Sequence, residues 1–201
     1  MDAIRGVPLA RKQRQRSREM EILSTIKSKS KSLNEIMVVL GGVILLFAAS
    51  QVEIPLQPVP ITLQTVAVML IGLTYSPRRA VESHLIWIGL GAIGFPVFAE
   101  FSGGINVLLG STAGYFMGFV FSAFLMATLK EKLSLKGWFY DALLCLMGTV
   151  IVFAFGVLWL SQLIGFSNAL VHGVLPFILP GAVKAGLLCT GLQILRHYRR
   201  G

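Results

Sequence analysis

Charge is the scarce ingredient of this 201-residue chain: Asp, Glu, Lys and Arg together supply 13% of it. A soluble domain carries roughly 25%, so an ordinary water-soluble globule is excluded at the outset. Acidic residues are scarcest, nine against 18 Lys and Arg. Only two cysteines occur, Cys145 and Cys189, both inside long apolar runs. That placement argues against a secreted disulfide framework and favours inert packing residues. His84, His172 and His197 are scattered and share no ligand spacing with the cysteines, which excludes structural zinc. No G-x-x-x-x-G-K-[ST] segment is present, so the chain has no P-loop with which to hold ATP. Gly89-Leu-Gly-Ala-Ile-Gly94 matches the dinucleotide-binding glycine pattern but lies within an apolar run. Phe-Pro-Val-Phe follows it, with no acidic residue about 20 positions on. Its glycines are expected to allow close helix packing instead.

What the chain has in quantity is apolar residues, 55% of the total, with a mean hydropathy of +0.75. A membrane-spanning helix needs about 20 of them. From Ile36 the apolar runs come at regular intervals: 36–50, 61–75, 80–96, 107–129, 137–164 and 170–195. Six runs predict an all-α, polytopic membrane bundle of six helices. The expected organisation is a basic tail over 1–34, a six-helix domain over 35–196 and a short tail over 197–201. The first tail holds nine of the 18 basic residues and no apolar core at signal-peptide distance, so it is not a cleaved secretory signal. It reads as a solvated segment, with an organelle presequence or a contact with anionic lipid as alternatives.

The net charge of +9 is explained by where the basic residues fall. Arg78 and Arg79 follow the second run, Lys130, Lys132 and Lys136 the fourth, and Arg196, Arg199 and Arg200 the sixth. With the tail they make 17 of 18. The alternate links, 51–60, 97–106 and 165–169, hold none. Such a bias marks the cytoplasmic face, so both termini are expected inside. No basic patch is left over for nucleic acid.

Lys184 is the eighteenth. It lies twelve residues before Arg196, about 18 Å from that end at 1.5 Å per residue. A lysine at such depth costs about 2.5–3.5 kcal/mol on insertion scales, so it pairs or lines a cavity. One reading has it reach a carboxylate such as Glu53 or Glu100; the other leaves it as a buried cation awaiting an anionic ligand. Pro176-Phe-Ile-Leu-Pro180-Gly181, just before it, is expected to break the sixth helix, as helices break where they line polar cavities. Thr62 and Gln64 set a hydroxyl and a carboxamide just inside the second run. A carboxamide offers donors and an acceptor, which suits a neutral polar ring such as a urea. Gly110, Gly114 and Gly118 form a small-residue stripe on the fourth run. Thr112 and Tyr115 add hydroxyls beside it, an arrangement more often an interface than a ligand site. Polar outer ends of three runs and a buried lysine describe a pocket for a small amphiphilic anion.

Four segments carry a resemblance. Pro58-Val-Pro-Ile-Thr-Leu-Gln64, Gly91-Ala-Ile-Gly-Phe-Pro-Val-Phe98, Gly110-Ser-Thr-Ala-Gly-Tyr115 and Pro176-Phe-(x)6-Lys184 resemble the signature stretches of BioY proteins. These are the biotin-specific substrate-binding components (S components) of energy-coupling-factor transporters. The resemblance covers about residues 36–195, in order with the six runs. It implies a six-helix bundle in the bacterial cell membrane, biotin bound near the outer face, and no enzymatic activity or cofactor in this chain. It also implies partners: an ATPase pair that uses ATP and a transmembrane coupling subunit. Lys184 would anchor the ligand from the sixth helix, with Gln64, Thr62, Asn106, Thr112, Gly114 and Tyr115 around the pocket and Phe98 and Phe177 against the apolar rings. Gly181 stands where many members carry an aspartate, so Lys184 lacks that partner. Ser111 and Ala113 replace a common proline and glycine. On the first helix, Gly41, Leu45 and Ala49 supply two small residues of the three expected for docking to the coupling subunit. The alternatives are a self-sufficient facilitator and a membrane-embedded enzyme. Against the enzyme, the runs hold no acid–base pair, metal ligands or nucleophile–base set.

Overall fold

A computed structural model describes residues 32–134 and 136–198. The basic tail therefore lies outside the described residues, apart from 32–34. Residue contacts divide the chain into two units, Met1–Val38 and Val39–Gly201. The described part of the first unit is helical.

The described chain is almost all helix: α1 (Ser32–Ser50), α2 (Gln64–Thr74), α3 (Pro77–Ala92), α4 (Ile105–Leu108), α5 (Ala113–Lys132), α6 (Trp138–Ile164), α7 (Phe166–Gly173) and α8 (Leu175–Tyr198). Two short strands, β1 (Glu53–Ile54) and β2 (Ile61–Thr62), pair antiparallel with Glu53 opposite Thr62. Helices form here because Leu, Ile, Val, Phe, Ala and Met dominate each run, and in lipid only a helix or closed barrel satisfies the backbone. Pro77 opens α3 at a position where a missing N–H costs nothing.

Each of the six expected runs is helical in large part, but only four described segments are long and apolar enough to cross a bilayer: Ser32–Ser50, Ala113–Lys132, Trp138–Ile164 and Phe166–Tyr198. The other two, α2 and α3, have 11 and 16 residues. At 1.5 Å per residue they reach about 16 and 24 Å, short of a hydrocarbon core of about 30 Å. Helix α2 does not face a lipid-sized gap, since seven of its residues are buried inside the bundle.

The fourth and sixth runs differ from expectation in where they bend. The fourth breaks at Leu109–Thr112, between α4 and α5, so Gly110 precedes the helix it was expected to stripe. Gly114 and Gly118 do pack: a Cβ on Gly114 would meet the Phe155 carbonyl oxygen at 2.3 Å, and one on Gly118 the Val152 Cα at 2.9 Å. They let α5 and α6 touch backbone to backbone. In the sixth run α8 continues through Pro176, Pro180 and Gly181, and the break lies upstream, at Val174 between α7 and α8. Pro176 sits in the first turn, where an N–H has no helical acceptor, so only Pro180 removes a ladder bond. The segment 165–169, expected as a link, is already helical from Phe166. Of the three glycines at 89, 91 and 94, only Gly91 makes a close approach, to the Phe98 ring. Gly94, at φ +100, lies just past α3.

Two apolar clusters fill the bundle. The larger runs through Leu46, Val68, Ile71, Trp87, Phe98, Phe116, Phe119 and Leu160. The smaller, Met69, Leu73, Met126, Leu144, Cys145 and Cys189, lies towards the ends of α5 and α8 and the start of α6. The two thiols are 3.8 Å apart and free. Beyond them Asp141, fully buried in the first turn of α6, is paired by Lys130 in the last turn of α5 and Arg196 in the last turn of α8. Each charge has the sign its own helix end favours: cations at carbonyl-rich C-termini, an anion at an N–H-rich N-terminus.

Candidate functional site

The bundle holds a cavity of about 310 Å³, at the lower end of the roughly 300–1,000 Å³ typical of small-molecule sites. The chain around it is tied by side chains reaching across loops. Ser111 donates its hydroxyl to the Pro58 carbonyl at 2.6 Å, locking the 55–60 link over the break between α4 and α5. The Gln51 carboxamide donates to the Phe98 carbonyl at 2.9 Å and accepts the Phe101 N–H at 3.1 Å. It thus clamps both sides of a 3₁₀ turn, Ala99–Phe101, in which Glu100 and Phe101 adopt φ of 55° and 50°. Two consecutive non-glycine residues in that region are strained, and the Gln51 clamp is what holds them. The Trp87 indole and the Ser50 hydroxyl both donate to the Val97 carbonyl, at 3.0 and 2.8 Å. Phe98 is thereby fixed, 1% exposed, against Trp87 and Phe116 with ring centroids 5.2 and 4.7 Å away.

Seven of the nine residues expected at a site line this one cavity: Thr62, Gln64, Phe98, Thr112, Tyr115, Phe177 and Lys184. Asn106 is exposed on α4 and Gly114 is buried against α6; neither is among the lining residues. Gly114 acts on the site only by letting the two helices that wall it approach.

Lys184 is half-buried, and its ammonium donates to the Thr62 carbonyl at 2.6 Å. It pairs with neither Glu53 nor Glu100, and among the described residues it makes no ion pair. A backbone carbonyl takes one of its three N–H donors and supplies no countercharge, so a lysine lining the cavity keeps two donors to spare. Thr62 and Gln64 form a local unit: the Thr62 hydroxyl donates to Gln64 Oε1 at 3.0 Å and accepts the Gln64 backbone N–H at 3.2 Å. That fixes which way the carboxamide points. Its Nε2, on a residue 6% exposed, is left with no partner. A buried amide donor without an acceptor costs about 1–3 kcal/mol. A carbonyl brought by a ligand would recover it.

The Tyr115 hydroxyl, by contrast, is already used. It donates to the Gly173 carbonyl at 2.8 Å, next to the break between α7 and α8, while its ring packs against Gly156. Tyr115 lines the cavity and ties the C-terminal end of α7 to α5.

Several lining residues escaped sequence reading. Phe116 and Phe119 of α5, with Gly148, Thr149, Val152 and Phe153 of α6, form the apolar wall and floor. The fifth run contributed no residue to the expected site, because its apolar stretch is uniform. Thr149 and Gly148, small or polar in mid-run, were the only local signal. Glu100 also lines the cavity. Burial, then the charge of Glu100, raises the Glu53 carboxyl above its ordinary pKa, partly offset by a hydrogen bond from the Glu100 backbone. The cavity lining thus holds one acidic side chain, Glu100, and one basic one, Lys184, which do not pair with each other. Among the described residues no group of three His, Cys, Asp or Glu side chains gathers as a metal site.

An apolar helical protein with membrane-length segments and a small-molecule cavity, lined by a cation that makes no ion pair among the described residues and an unpaired amide donor, has the makings of a membrane solute-binding protein. The comparisons with known proteins agree. The model of the BioY family matches residues 20–200. A relative from Rickettsia prowazekii (strain Madrid E), named "probable biotin transporter BioY", is 36% identical over 92% of both chains. The "biotin transporter BioY" of Thermotoga maritima is 35% identical over 76% of this chain and 88% of its own. Among solved structures, the S-component for biotin from an ECF-type ABC transporter superposes with a TM-score of 0.71 at 29% identity, covering 85% of this chain and 93% of that one. The chain belongs to the BioY family, whose named members are transporters and not enzymes.

Proposed function

We propose that this chain is the high-affinity biotin-binding membrane component of an uptake system. One observation carries the reading: a single apolar cavity joins an ammonium with no countercharge, Lys184, to a carboxamide whose N–H donors are unpaired, Gln64. Biotin presents a carboxylate, an aliphatic chain and a fused ring with a ureido carbonyl. Lys184 takes the carboxylate, and Gln64, braced by Thr62, donates to the ureido oxygen. Phe98, Phe177 and the Phe116–Phe119 wall cover the chain and rings, with Thr112 and Tyr115 at the edge. Asn106 and Gly114 stand outside this set. Charge-assisted contacts contribute about 1.5–3 kcal/mol each, and the apolar wall about 25 cal/mol per Å² covered.

The full architecture belongs to the same proposal: six spans in the bacterial cell membrane over 35–196, with both termini cytoplasmic and the cavity near the outer face. Cysteines placed at 56 and 103 then label from outside, and those at 78 and 134 from inside. With no P-loop in this chain, energy comes from partner ATPase subunits through a transmembrane coupling subunit. Measuring biotin uptake in cells with and without a coupling module tests that part: uptake that persists without one establishes a self-sufficient facilitator. Binding is tested on purified protein by calorimetry with biotin and biotin methyl ester. Biotin is expected to bind at least tenfold tighter; equal affinities would remove Lys184 from its role.

A further inference from the structure

We infer that the buried ion cluster Asp141–Lys130–Arg196 is a positioning clasp for the ligand-binding lysine about 18 Å away on the same helix. The inference rests on the biotin reading above and concerns how the site is held.

Helix α8 is the loosest wall of the cavity. Of its 24 residues only Cys189 is buried, against ten of 20 in α5 and eight of 27 in α6. Apolar packing therefore does little to fix its rotation or height. Three polar ties fix them instead. Lys184 bonds the Thr62 carbonyl, the Trp138 indole bonds the Thr190 hydroxyl at 3.3 Å, and Arg196 pairs with Asp141. The first rests on a half-buried ammonium and a neutral carbonyl, and the second is long and exposed. Only the third is charged and anchored on a fully buried group.

The segment from Gly181 to Tyr198 lies beyond Pro180, the one interior residue that lacks a ladder N–H. It is one continuous stretch of helix, with Lys184 near one end and Arg196 near the other. Side-chain tips lie about 5–6 Å from a helix axis. A rotation of about 20° sweeps such a tip by about 2 Å, enough to lose a hydrogen bond of 2.6 Å. Asp141 cannot follow a displaced Arg196, because Lys130 holds its other oxygen from α5. The cluster thus registers α8 against both α5 and α6, the helices that build the rest of the wall. Lys130 and Arg196, which the sequence offers only as markers of one membrane face, gain a second role.

The test compares ligands rather than stability alone. A positioning role predicts that weakening the clasp removes the advantage conferred by the ligand's carboxylate and spares the remainder of binding. Calorimetry on purified full-length protein uses biotin and biotin methyl ester with wild type, Arg196→Gln, Arg196→Lys and Asp141→Asn. Arg196→Gln leaves Asp141 paired with Lys130, so it is the variant chosen to fold. Its biotin-to-ester preference is expected to fall from at least tenfold to less than threefold, with ester affinity within twofold of wild type. Arg196→Lys is expected to keep at least half of the wild-type preference, and Asp141→Asn to match Arg196→Gln. An Arg196→Gln protein that keeps its preference, or loses affinity for both ligands equally, overturns the clasp. Should Asp141→Asn fail to accumulate, Arg196→Gln with its Lys rescue decides. A wild type without preference for biotin over its ester refutes the Lys184 role instead, and the clasp with it.

Discussion

Helices α5, α6 and α8 pass through two regions with opposite polar accounting. At the cavity, buried polar groups are left short of partners: Gln64 Nε2 has none, and Lys184 has one carbonyl and no countercharge. Towards the other end of the same helices, Asp141 is more deeply buried than either, at 0% exposed, and both of its oxygens are taken by cations. The physical cost of an unpaired polar group is the same in both places. A region that bears that cost is reserved for something that arrives later, and a region that cancels it is there to hold the fold. Small residues divide likewise. Gly114 and Gly118 let backbones touch, whereas Gly181, with nothing within 4 Å of an added Cβ, lines the open volume.

The sharpest way to break this comparison is at the satisfied end. Asp141→Ala strands Lys130 and Arg196 side by side without their anion. Removing one partner of a buried ion pair costs about 3–5 kcal/mol, so this variant is expected to lose the most thermal stability in detergent, as measured by the unfolding midpoint. A midpoint within 2 °C of wild type would mean that the cluster does not hold the fold. Lys184→Ala is the counterpart at the unsatisfied end. Its effect falls on binding, about 1.5–3 kcal/mol or 10- to 150-fold weaker biotin, with insertion and midpoint unchanged. Unaltered affinity in a titration would place the lysine outside the site. Gln64→Leu is the finest probe, because the two measurements move in opposite directions. The empty protein loses an orphan donor pair and gains stability or stays level, while biotin binds about tenfold more weakly. A destabilised empty protein with normal affinity would show that the carboxamide serves the fold.

Much of this was legible in the chain. The run spacing predicted a helical bundle, and the polar residues at run ends picked out five of the residues that line the cavity. Thr62, Gln64, Thr112 and Lys184 were visible because each is a polar group interrupting apolar sequence. What escaped notice had no such contrast. Phe116, Phe119, Val152 and Phe153 line the cavity but read as any core residues would. Asn106 was visible for the same reason as Thr112, but on α4 it is exposed and is not among the lining residues. The helix break was expected at the prolines and occurs at Val174, because a proline in a first turn ends nothing.

The sequence by itself determined the material and the inventory: apolar helices because lipid leaves the backbone no other partner, and one lysine too deep for a topology marker. Which polar groups would be satisfied was decided only by the tertiary structure. Asp141, Lys130 and Arg196 are separated by as many as 66 positions in the chain, and nothing local distinguishes them from other charges at helix ends. Packing of α5, α6 and α8 brings three charges of compensating sign together, and the same packing leaves Lys184 and Gln64 with donors to spare. Pairing is a property of distance, and distance between segments exists only once the helices are assembled.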